Sequence, residues 1–456
     1  MSEGVDTVGL DIPPRLVVDG LLDDPETRII VCCGSGGVGK TTTAAALGVR
    51  AAERGRRAVV LTIDPARRLA QSMGIDSLDN TPREVAGVGL DGGGLHAMML
   101  DMKRTFDEIV EAHADGERAR AILANPFYQS LSAGFAGTQE YMAMEKLGQL
   151  RARPDWDLIV VDTPPSRSAL DFLDAPKRLG SFLDGKFIRV LMAPAKVGGR
   201  AGMKFLNVGM SMMTGTLSKL MGASLLKDVQ TFVAAMDTMF GGFRTRADAT
   251  FRLLQAPGTA FLVVAAPEPD ALREAAYFVE RLAAESMPLA GLVLNRVHGS
   301  GADQLSAERA LAAAENLEEG GIVDQESGKA GLRDGAAETP KTPEPGSPST
   351  ASDTTEADET DAVDQDAVDQ DAADRGAANQ DAVDERVVDE ITAGLLRLHA
   401  ERMQVIAREQ RTRDRFTSLH PEVAVAEVAA LPGDVHDLAG LRAIGERLAA
   451  GDPAGA

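Results

Sequence analysis

The sequence predicts an α/β fold in which a mostly parallel sheet is flanked by helices. Two observations predict it: compact apolar runs alternate with helical patterns, and polar residues, Gly or Pro follow each run. Runs of this kind are typical of buried parallel strands. The runs are Arg28–Cys33, Ala58–Ile63, Leu95–Leu100, Leu158–Val161, Ala260–Ala265, Leu289–Leu294 and Val423–Val428.

The overall composition is that of a folded protein. Hydrophobic residues make up 44% and charged residues 25% of the 456 residues, which excludes disorder of the whole chain. Aromatic residues make up only 4%, so we expect the core to consist of Ala, Val, Leu and Met. The net charge of −22 argues against a general nucleic-acid-binding surface.

Most of this negative charge lies in one segment. Glu318–Glu385 contains 20 acidic and 4 basic residues and has a net charge of −16, so the rest of the chain carries only −6. The segment is poor in large apolar residues and contains near-repeats of Asp-Ala-Val-Asp. Burial cannot offset its ordering entropy, so we predict a disordered insertion that acts as a solvated spacer or, alternatively, as a tether for a basic partner.

The helical spacing of apolar residues in Val387–Arg408 indicates that the fold resumes after this insertion. We therefore predict six regions: an N-terminal tail, a first core part, a helical subdomain that binds a client or a second subunit, a second core part, the disordered insertion and a C-terminal core part. Their bounds are 1–24, 25–168, 169–256, 257–317, 318–385 and 386–456.

A cytoplasmic location is expected. The adjacent Cys32 and Cys33 cannot form a disulfide framework or a CxxC metal site, which fits a reducing compartment. Residues 1–14 lack the basic and apolar regions of a signal peptide, and we expect no transmembrane helix because no run of about 18 apolar residues occurs.

The strongest motif is Gly34–Thr41, which reads G-S-G-G-V-G-K-T between a predicted strand and a predicted helix. This pattern is a phosphate-binding loop whose glycines let backbone N–H groups approach the phosphates of a nucleotide. Lys40 would reach the β- and γ-phosphates, and Thr41 would offer its hydroxyl to Mg²⁺. The predicted nucleotide-binding residues of the loop are Gly34, Ser35, Gly36, Gly37, Val38, Gly39, Lys40, Thr41 and Thr42.

Two acidic residues end strands that would meet the same crevice. Asp162 ends Leu-Ile-Val-Val-Asp and has the position of a Walker B carboxylate, which contacts Mg²⁺ or its waters. Asp64 ends the strand before Pro65, where it would orient or deprotonate the attacking water. A helix N-cap is an equally good interpretation of Asp64, and spacing alone does not separate the two.

Six motifs occur in order along the chain: Gly36-Gly-Val-Gly-Lys-Thr-Thr42, Asp64-Pro-Ala66, Asp162-Thr-Pro-Pro165, Ala266-Pro-Glu-Pro269, Val293-Leu-Asn-Arg296 and Leu431-Pro-Gly-Asp-Val435. Taken together, these motifs resemble those of the arsenite-pump ATPase family. This family includes ATPases that escort tail-anchored membrane proteins, and it belongs to the deviant-Walker P-loop NTPases. The chain is similar to an actinobacterial, anion-transporting-ATPase-like member.

The resemblance implies a P-loop NTPase fold and roles for several residues. It implies that Asp64 activates water in a first switch, that Asp162 is the magnesium-side carboxylate and that Asp162–Ser168 forms a second switch. It implies that Asn295 contacts the base and that Pro432, Gly433 and Asp434 form an adenine-side loop. The implied cofactors are ATP and Mg²⁺, and the implied assembly is a nucleotide-gated dimer with facing active sites.

One departure from the family pattern concerns catalysis. The family has a signature Lys where this chain has Ser35, and that Lys reaches the phosphates of the partner subunit as an arginine finger does. Either Arg67, Arg68 or Arg167 substitutes within the chain, or a paralogous partner with an intact Lys completes the site. The sequence therefore leaves a homodimer and a heterodimer open, and we favour the heterodimer.

A second departure concerns ligands. Arsenite-binding members use thiolates, and the eukaryotic escorts use a CxxC pair, but Cys32 and Cys33 lie within a predicted buried strand and point to opposite faces. We expect them to be small buried hydrophobic residues, which disfavours a metalloid or anion efflux pump.

The stretch Ala201–Leu226 suggests a client site. It contains Lys204 and Lys219 as its only charged residues and is rich in Met at helical spacing. Such a helix forms either an adaptable groove for a hydrophobic helix or an ordinary core or dimer contact. The resulting prediction is an ATP hydrolase coupled to a hydrophobic client or a membrane-associated process, with peripheral membrane contact and no nucleic acid. The alternative is a weakly hydrolysing nucleotide-binding scaffold in a heteromeric complex.

Overall fold

The computed structural model describes residues 14–63, 68–89, 92–132, 138–164, 242, 245–320 and 365–450. These residues divide into two units: residues 1–301 with 406–456, and residues 302–405. The strands of the first unit are β1 (Ile29–Cys33), β2 (Arg57–Thr62), β3 (Arg83–Glu84), β4 (Gly94–Met99), β5 (Leu158–Asp162), β6 (Thr259–Ala265), β7 (Leu289–Val297) and β8 (Val425–Ala429).

The helices begin and end as follows, with residues 245–255 also helical. They are α1 (Val18–Asp23), α2 (Lys40–Glu53), α3 (Arg68–Ser72), α4 (Met102–His113), α5 (Gly116–Leu123), α6 (Pro126–Ser132), α7 (Thr138–Ala152), α8 (Pro269–Ala284), α9 (Ala307–Gly320), α10 (Gln365–Leu419) and α11 (Leu438–Ala450).

The strands form one eight-stranded sheet in the order β3-β4-β2-β5-β1-β6-β7-β8. All pairs are parallel except β3 with β4, so the predicted fold class is confirmed. The central strands β1, β5 and β6 are buried along their whole length. Because β1 lies between β5 and β6, the loop after β1 stands beside the carboxyl ends of both neighbours, where ligands bind in sheets of this kind.

The region predicted as an N-terminal tail differs from the structure at its C-terminal end. Leu16, Val18 and Leu22 are buried, and the amide of Leu16 donates to the carbonyl oxygen of Val425 at 3.0 Å. Asp19 of α1 also pairs with Arg50 of α2 at 2.5 Å, and Asp23 pairs with Arg54, the residue that follows α2. Residues 14–24 thus belong to the core, because the backbone of residues 14–16 pairs with Val425 of β8 and α1 packs on α2.

The predicted disordered insertion also differs from the structure at both ends. Residues 318–320 end α9, and residues 365–385 form the first part of α10, while 321–364 lies outside the described residues. Alanine is frequent in 365–385, and a helix that is already formed extends at little cost into residues of high helix propensity. The composition of this part is therefore as compatible with a helix as with a coil.

Candidate active site

The phosphate-binding loop connects β1 to α2 as predicted, and two of its glycines lie in tight places. Gly34 has φ +149°, and a Cβ there would come within 2.1 Å of the carbonyl oxygen of Val264 on β6. Gly39 precedes α2 with φ +95°, and a Cβ there would come within 2.2 Å of the side-chain amide of Asn295. The loop is therefore held between its own helix and two neighbouring strands, and only glycine fits at these two positions.

Lys40 is the first residue of α2 and is 6% exposed. Its Nζ donates to the carbonyl oxygen of Ser35 at 2.7 Å, so the ammonium group lies against the loop that it would serve. Together with the N–H groups at the start of α2, this charge makes the loop a site for an anion. The residue at the position of the family's signature Lys, Ser35, thus contributes its backbone to the site.

Asp162 ends β5 beside the loop and is completely buried. Its Oδ2 accepts hydrogen bonds from the hydroxyl groups of Thr41, at 2.8 Å, and Thr62, at 2.9 Å. The P-loop threonine and the Walker B carboxylate, which are 121 residues apart in the sequence, are therefore in direct contact. Thr62 was missed by sequence reasoning, although its place at the end of β2, two residues before Asp64, was a signal that could have found it.

The donor set around Asp162 fits Mg²⁺. This ion takes hard oxygen ligands and is usually held by one or two protein groups together with substrate phosphates. A hydroxyl oxygen and a carboxylate oxygen meet here at the start of α2, and no nitrogen or sulfur ligand is needed. Thr41 and Asp162 are accordingly the residues that would hold the ion, directly or through water.

The two cysteines of β1 do not form a metal site. Both are free and buried, as expected from the sequence. Burial, followed by the nearby charge of Asp162, raises the pKa of Cys32 well above its usual value, and burial raises the pKa of Cys33 to about 12. Both thiols are therefore protonated at neutral pH, whereas metal and metalloid ligation requires the thiolate.

Asn295 has a contact that the sequence did not indicate. It lies on β7, is 6% exposed, and donates from Nδ2 to the carbonyl oxygen of Val38 in the phosphate-binding loop at 2.8 Å. Its amide also occupies the space above Gly39. Besides the base contact that the resemblance implies, Asn295 therefore supports the loop itself.

The loop predicted to contact adenine follows β8. Pro432, Gly433 and Asp434 are exposed at the same edge of the sheet as the phosphate-binding loop. Arg447 of α11 fixes the start of this connection by donating to the carbonyl oxygens of Ala429 and Ala430 at 2.8 and 3.2 Å.

Several predicted residues lie outside the described residues. These are Asp64, Arg67, Arg167, the second switch after Pro164 and the Met-rich stretch Ala201–Leu226, and of Arg68 only the backbone is described. The first switch can be followed up to Ile63, whose carbonyl oxygen accepts a hydrogen bond from Nε2 of Gln139 at 3.0 Å. Gln139 was not found from the sequence, since nothing in its neighbourhood marks it.

The comparison with protein families agrees with this geometry. Residues 27–318, more than half of the chain, match the family described as anion-transporting ATPase. The chain belongs to this family. The resemblance seen in the motifs is thereby confirmed, and the family that matches is described as one of ATPases.

Individual members of the family are similar to the chain over different lengths. An ATPase GET3 from Malassezia globosa is 31% identical over 167 residues, which is 37% of this chain and 47% of the relative. An ATPase GET3 from Podospora anserina is 25% identical over 301 residues, 64% of this chain and 81% of the relative. An ATPase ARSA1 from Chlamydomonas reinhardtii is 25% identical over 307 residues, 62% of this chain and 37% of the relative. The match thus spans about half of the first of these proteins.

Among the described residues, no helix is long and apolar enough to span a membrane. These residues also contain no group of three or more His, Cys, Asp and Glu side chains that would hold a metal ion.

The contact of Asn295 with the loop leads to a first prediction. Asn295→Ala leaves the Val38 carbonyl without this donor, and we expect weaker binding of nucleotides by about tenfold, the usual scale for one unsatisfied buried group. Because the loop rather than the base is affected, ATP, GTP and inorganic triphosphate should lose affinity by similar factors in calorimetric titrations. Arg296→Ala, on the exposed neighbour, is the control. A loss confined to ATP would instead show that Asn295 acts only on the base.

Proposed function

We propose that this chain is a Mg²⁺-dependent ATPase that works as a nucleotide-gated dimer. It would couple hydrolysis of ATP to ADP and phosphate to the handling of a hydrophobic client or to a membrane-associated process. The observation that carries the proposal is the contact of Asp162 with Thr41 directly beside Lys40. These three side chains provide the positive charge, the hydroxyl and the carboxylate that phosphoryl transfer to water requires.

In this proposal the phosphates bind to the loop Gly34–Thr41, with Lys40 on the β- and γ-phosphates. Bound Mg²⁺ would neutralise the negative charge of the phosphates. Thr41 and Asp162 would hold it, and Thr62 would orient the carboxylate of Asp162. Asp64 would orient or deprotonate the attacking water, since it follows β2 immediately after Thr62 and Ile63, at the edge where β5 ends.

The choice between a homodimer and a heterodimer depends on Ser35, which stands where the family has its signature Lys. A neutral hydroxyl cannot supply the charge of the signature Lys, and such a charge is worth several orders of magnitude in rate. We propose that a paralogous subunit with an intact Lys completes the site, which makes the heterodimer the preferred assembly over a homodimer. Closure of the dimer around the γ-phosphate would switch the protein between two conformations, and this switch would couple the ATP site to the client.

The client would be a hydrophobic helix, and the supporting feature is the Met-rich, nearly uncharged stretch Ala201–Leu226 of the sequence. The family of escorts for tail-anchored proteins makes this class of client more plausible than a metalloid, and the protonated, buried thiols of Cys32 and Cys33 argue in the same direction. We place this activity in the cytoplasm, with contact to the membrane through the client, and without nucleic acid.

A weakly hydrolysing scaffold is the second candidate, and Ser35 is the observation that favours it. Nucleotide binding alone requires the loop, Lys40 and Asn295, and none of these depends on the signature Lys. In this case the conformation of the chain within its complex would depend on the bound nucleotide, and hydrolysis would be slow.

The two candidates differ in their response to Asp64→Asn. For an ATPase we expect this change to reduce turnover by about 10²- to 10⁴-fold, the range for loss of a general base, while ATP affinity changes only a few-fold. Asp76→Asn, on an exposed carboxylate of the same region, is the control. Turnover would be measured by phosphate release, with the chain alone and mixed with its paralogues. Equal turnover of wild type and Asp64→Asn in every mixture would favour the scaffold.

A further inference from the structure

Two hydrogen bonds to Asp162 fix the end of β2. The hydroxyl group of Thr62 donates to the carboxylate of Asp162 at 2.9 Å, and the amide of Ile63 donates to the backbone carbonyl oxygen of Asp162 at 3.0 Å. The side chain of Ile63 is buried as well. The last described residue before the first switch is therefore fixed directly against the residue that would hold Mg²⁺.

The carbonyl group of Ile63 is held from outside the sheet. Gln139, in the first turn of α7, donates from Nε2 to this oxygen at 3.0 Å, although the two residues lie 76 positions apart in the sequence. A glutamine side chain loses rotamer freedom when it is fixed in this way, whereas a water molecule could satisfy the same oxygen. The contact with Gln139 therefore orders the chain at this point.

This carbonyl group belongs to the peptide group that joins Ile63 to Asp64. Because a peptide group is planar, the orientation of its carbonyl determines the direction in which the chain enters residue 64. Asp64 is the residue that would orient or deprotonate the attacking water, and such a group must be held within about 0.5 Å of its productive position. Gln139 thus holds the peptide group directly before the proposed base.

Helix α7 is anchored firmly enough to keep such a contact in place. The ammonium group of Lys146 donates to Glu108 of α4 at 2.7 Å, and the carboxylate of Glu145 accepts from Nε of Arg246 at 2.7 Å. Lys146 and Glu145 are both buried, so loss of either partner would leave an uncompensated charge in the interior. The two pairs tie α7 to two other helices, and Gln139 therefore extends from a fixed support.

We propose that Gln139 is a positioning residue for ATP cleavage and acts on Asp64 through the carbonyl group of Ile63. This role rests on the proposed function, because Gln139 has an effect on cleavage only if Asp64 acts on the attacking water. Gln139 contacts neither the nucleotide nor the metal in this role. Its loss should therefore slow the cleavage step and leave the binding of ATP and Mg²⁺ unchanged.

The first test is Gln139→Met in the 456-residue chain, with cleavage of bound ATP measured in a single turnover. Methionine has nearly the length of glutamine but no donor. We expect cleavage to slow by about 10- to 100-fold, since displacing a reacting group by about 1 Å can cost about 10²-fold. The dissociation constant of ATP and the Mg²⁺ concentration for half-maximal rate should change by less than about twofold. Gln139→Asn, which keeps the amide on a shorter side chain, should show a similar loss.

Gln255→Met is the matched control. Gln255 is also partly buried, and its Nε2 donates to the carbonyl oxygen of Glu285 at 2.7 Å. This contact lies near the starts of β6 and β7, at the opposite edge of the sheet from the phosphate-binding loop. Its loss removes the same kind of hydrogen bond and should leave the cleavage rate unchanged.

A double-mutant cycle with Asp64→Asn separates positioning from a general structural effect. If Gln139 acts through Asp64, Gln139→Met should slow the Asp64→Asn variant by less than about twofold, because the group that it positions is already disabled. An equal loss in both backgrounds, or a loss of ATP affinity that parallels the loss of rate in both Gln139 variants, would overturn the proposal.

The same measurements distinguish failure of this proposal from failure of the proposed function. If Asp64→Asn slows cleavage and Gln139→Met does not, Gln139 is no positioning residue, and the proposed function stands. If Asp64→Asn cleaves ATP as fast as wild type, or wild type cleaves none, the proposed function is wrong and the role of Gln139 is wrong with it.

Discussion

Replacement of Lys40 by alanine is expected to reduce ATP turnover by at least about 10³-fold, since the site loses its fixed positive charge on the transferring phosphate. Lys40 is nearly buried, and its ammonium group lies 2.7 Å from the Ser35 carbonyl oxygen, so it is positioned before nucleotide binds. Alanine has high helix propensity, so α2 should still begin here. The measurement is phosphate release together with ADP titration, in which affinity should also fall.

Lys103→Ala is the matched control for this change. Lys103 lies on α4, is partly exposed and pairs with Asp107 at 2.7 Å, so its loss removes a positive charge of the same kind away from the phosphate-binding loop. Its turnover should equal that of wild type. Turnover of Lys40→Ala within a few-fold of wild type would contradict the assignment of the loop as the catalytic phosphate site.

Asp162→Asn is expected to have the second largest effect. The amide keeps the size of the carboxylate but removes its charge, and its NH₂ group cannot accept a hydrogen bond from Thr41 or Thr62. We expect turnover with Mg²⁺ to fall by about 10²- to 10³-fold, the scale for loss of one fixed group that stabilises the transition state. Binding of ADP in EDTA should change little, because without the metal the carboxylate has no favourable contact with the phosphates.

The control for Asp162→Asn is Asp157→Asn, five residues earlier in the chain. The Arg57 guanidinium lowers the pKa of the Asp157 carboxyl through a hydrogen bond, and this partly exposed pair lies at the far end of the strands. Its loss should leave the dependence of turnover on Mg²⁺ unchanged. If Asp162→Asn and wild type showed the same Mg²⁺ dependence, the metal would have to be held elsewhere.

The sheet could be predicted from the sequence because its strands are buried on both faces. Seven apolar runs marked seven strands, and the bounds differ from the structure by three residues or fewer. The strand that was missed, β3, is only Arg83–Glu84 at the exposed edge, and two exposed polar residues leave no apolar signal. Its antiparallel pairing with β4 depends on the position of β4 in the sheet rather than on the strand propensity of these two residues.

The site could be predicted only in part, because several of its contacts join residues that are far apart in the sequence. Local motifs identify Lys40, Thr41 and Asp162, since each belongs to a pattern of adjacent residues. Thr62 and Asn295 support the same site from other strands, and only the sheet order brings them close. One sequence carries no information on such pairs unless a resemblance supplies it, and for Asn295 the resemblance pointed to the base rather than to the loop.

Helix α10 shows what periodicity alone cannot predict, because the apolar residues that mark it are exposed. The spacing of Val388, Ile391, Leu395 and Leu398 predicts a helix but not the direction in which its apolar face points. The buried face uses Ala393 and Ala400, whose small side chains allow close approach and carry a weak hydrophobic signal. From the sequence, a helix with two apolar faces is therefore predicted to have only one.

The most direct test of ATP hydrolysis is a single-turnover experiment with the purified 456-residue chain in excess over γ-labelled ATP. We expect the bound ATP to be converted to ADP and phosphate when Mg²⁺ is present and to stay intact in EDTA, even if the missing signature Lys makes the reaction slow. ATP that remains bound and uncleaved in Mg²⁺, both alone and with the paralogues of the chain present, would contradict the claim that this site hydrolyses ATP.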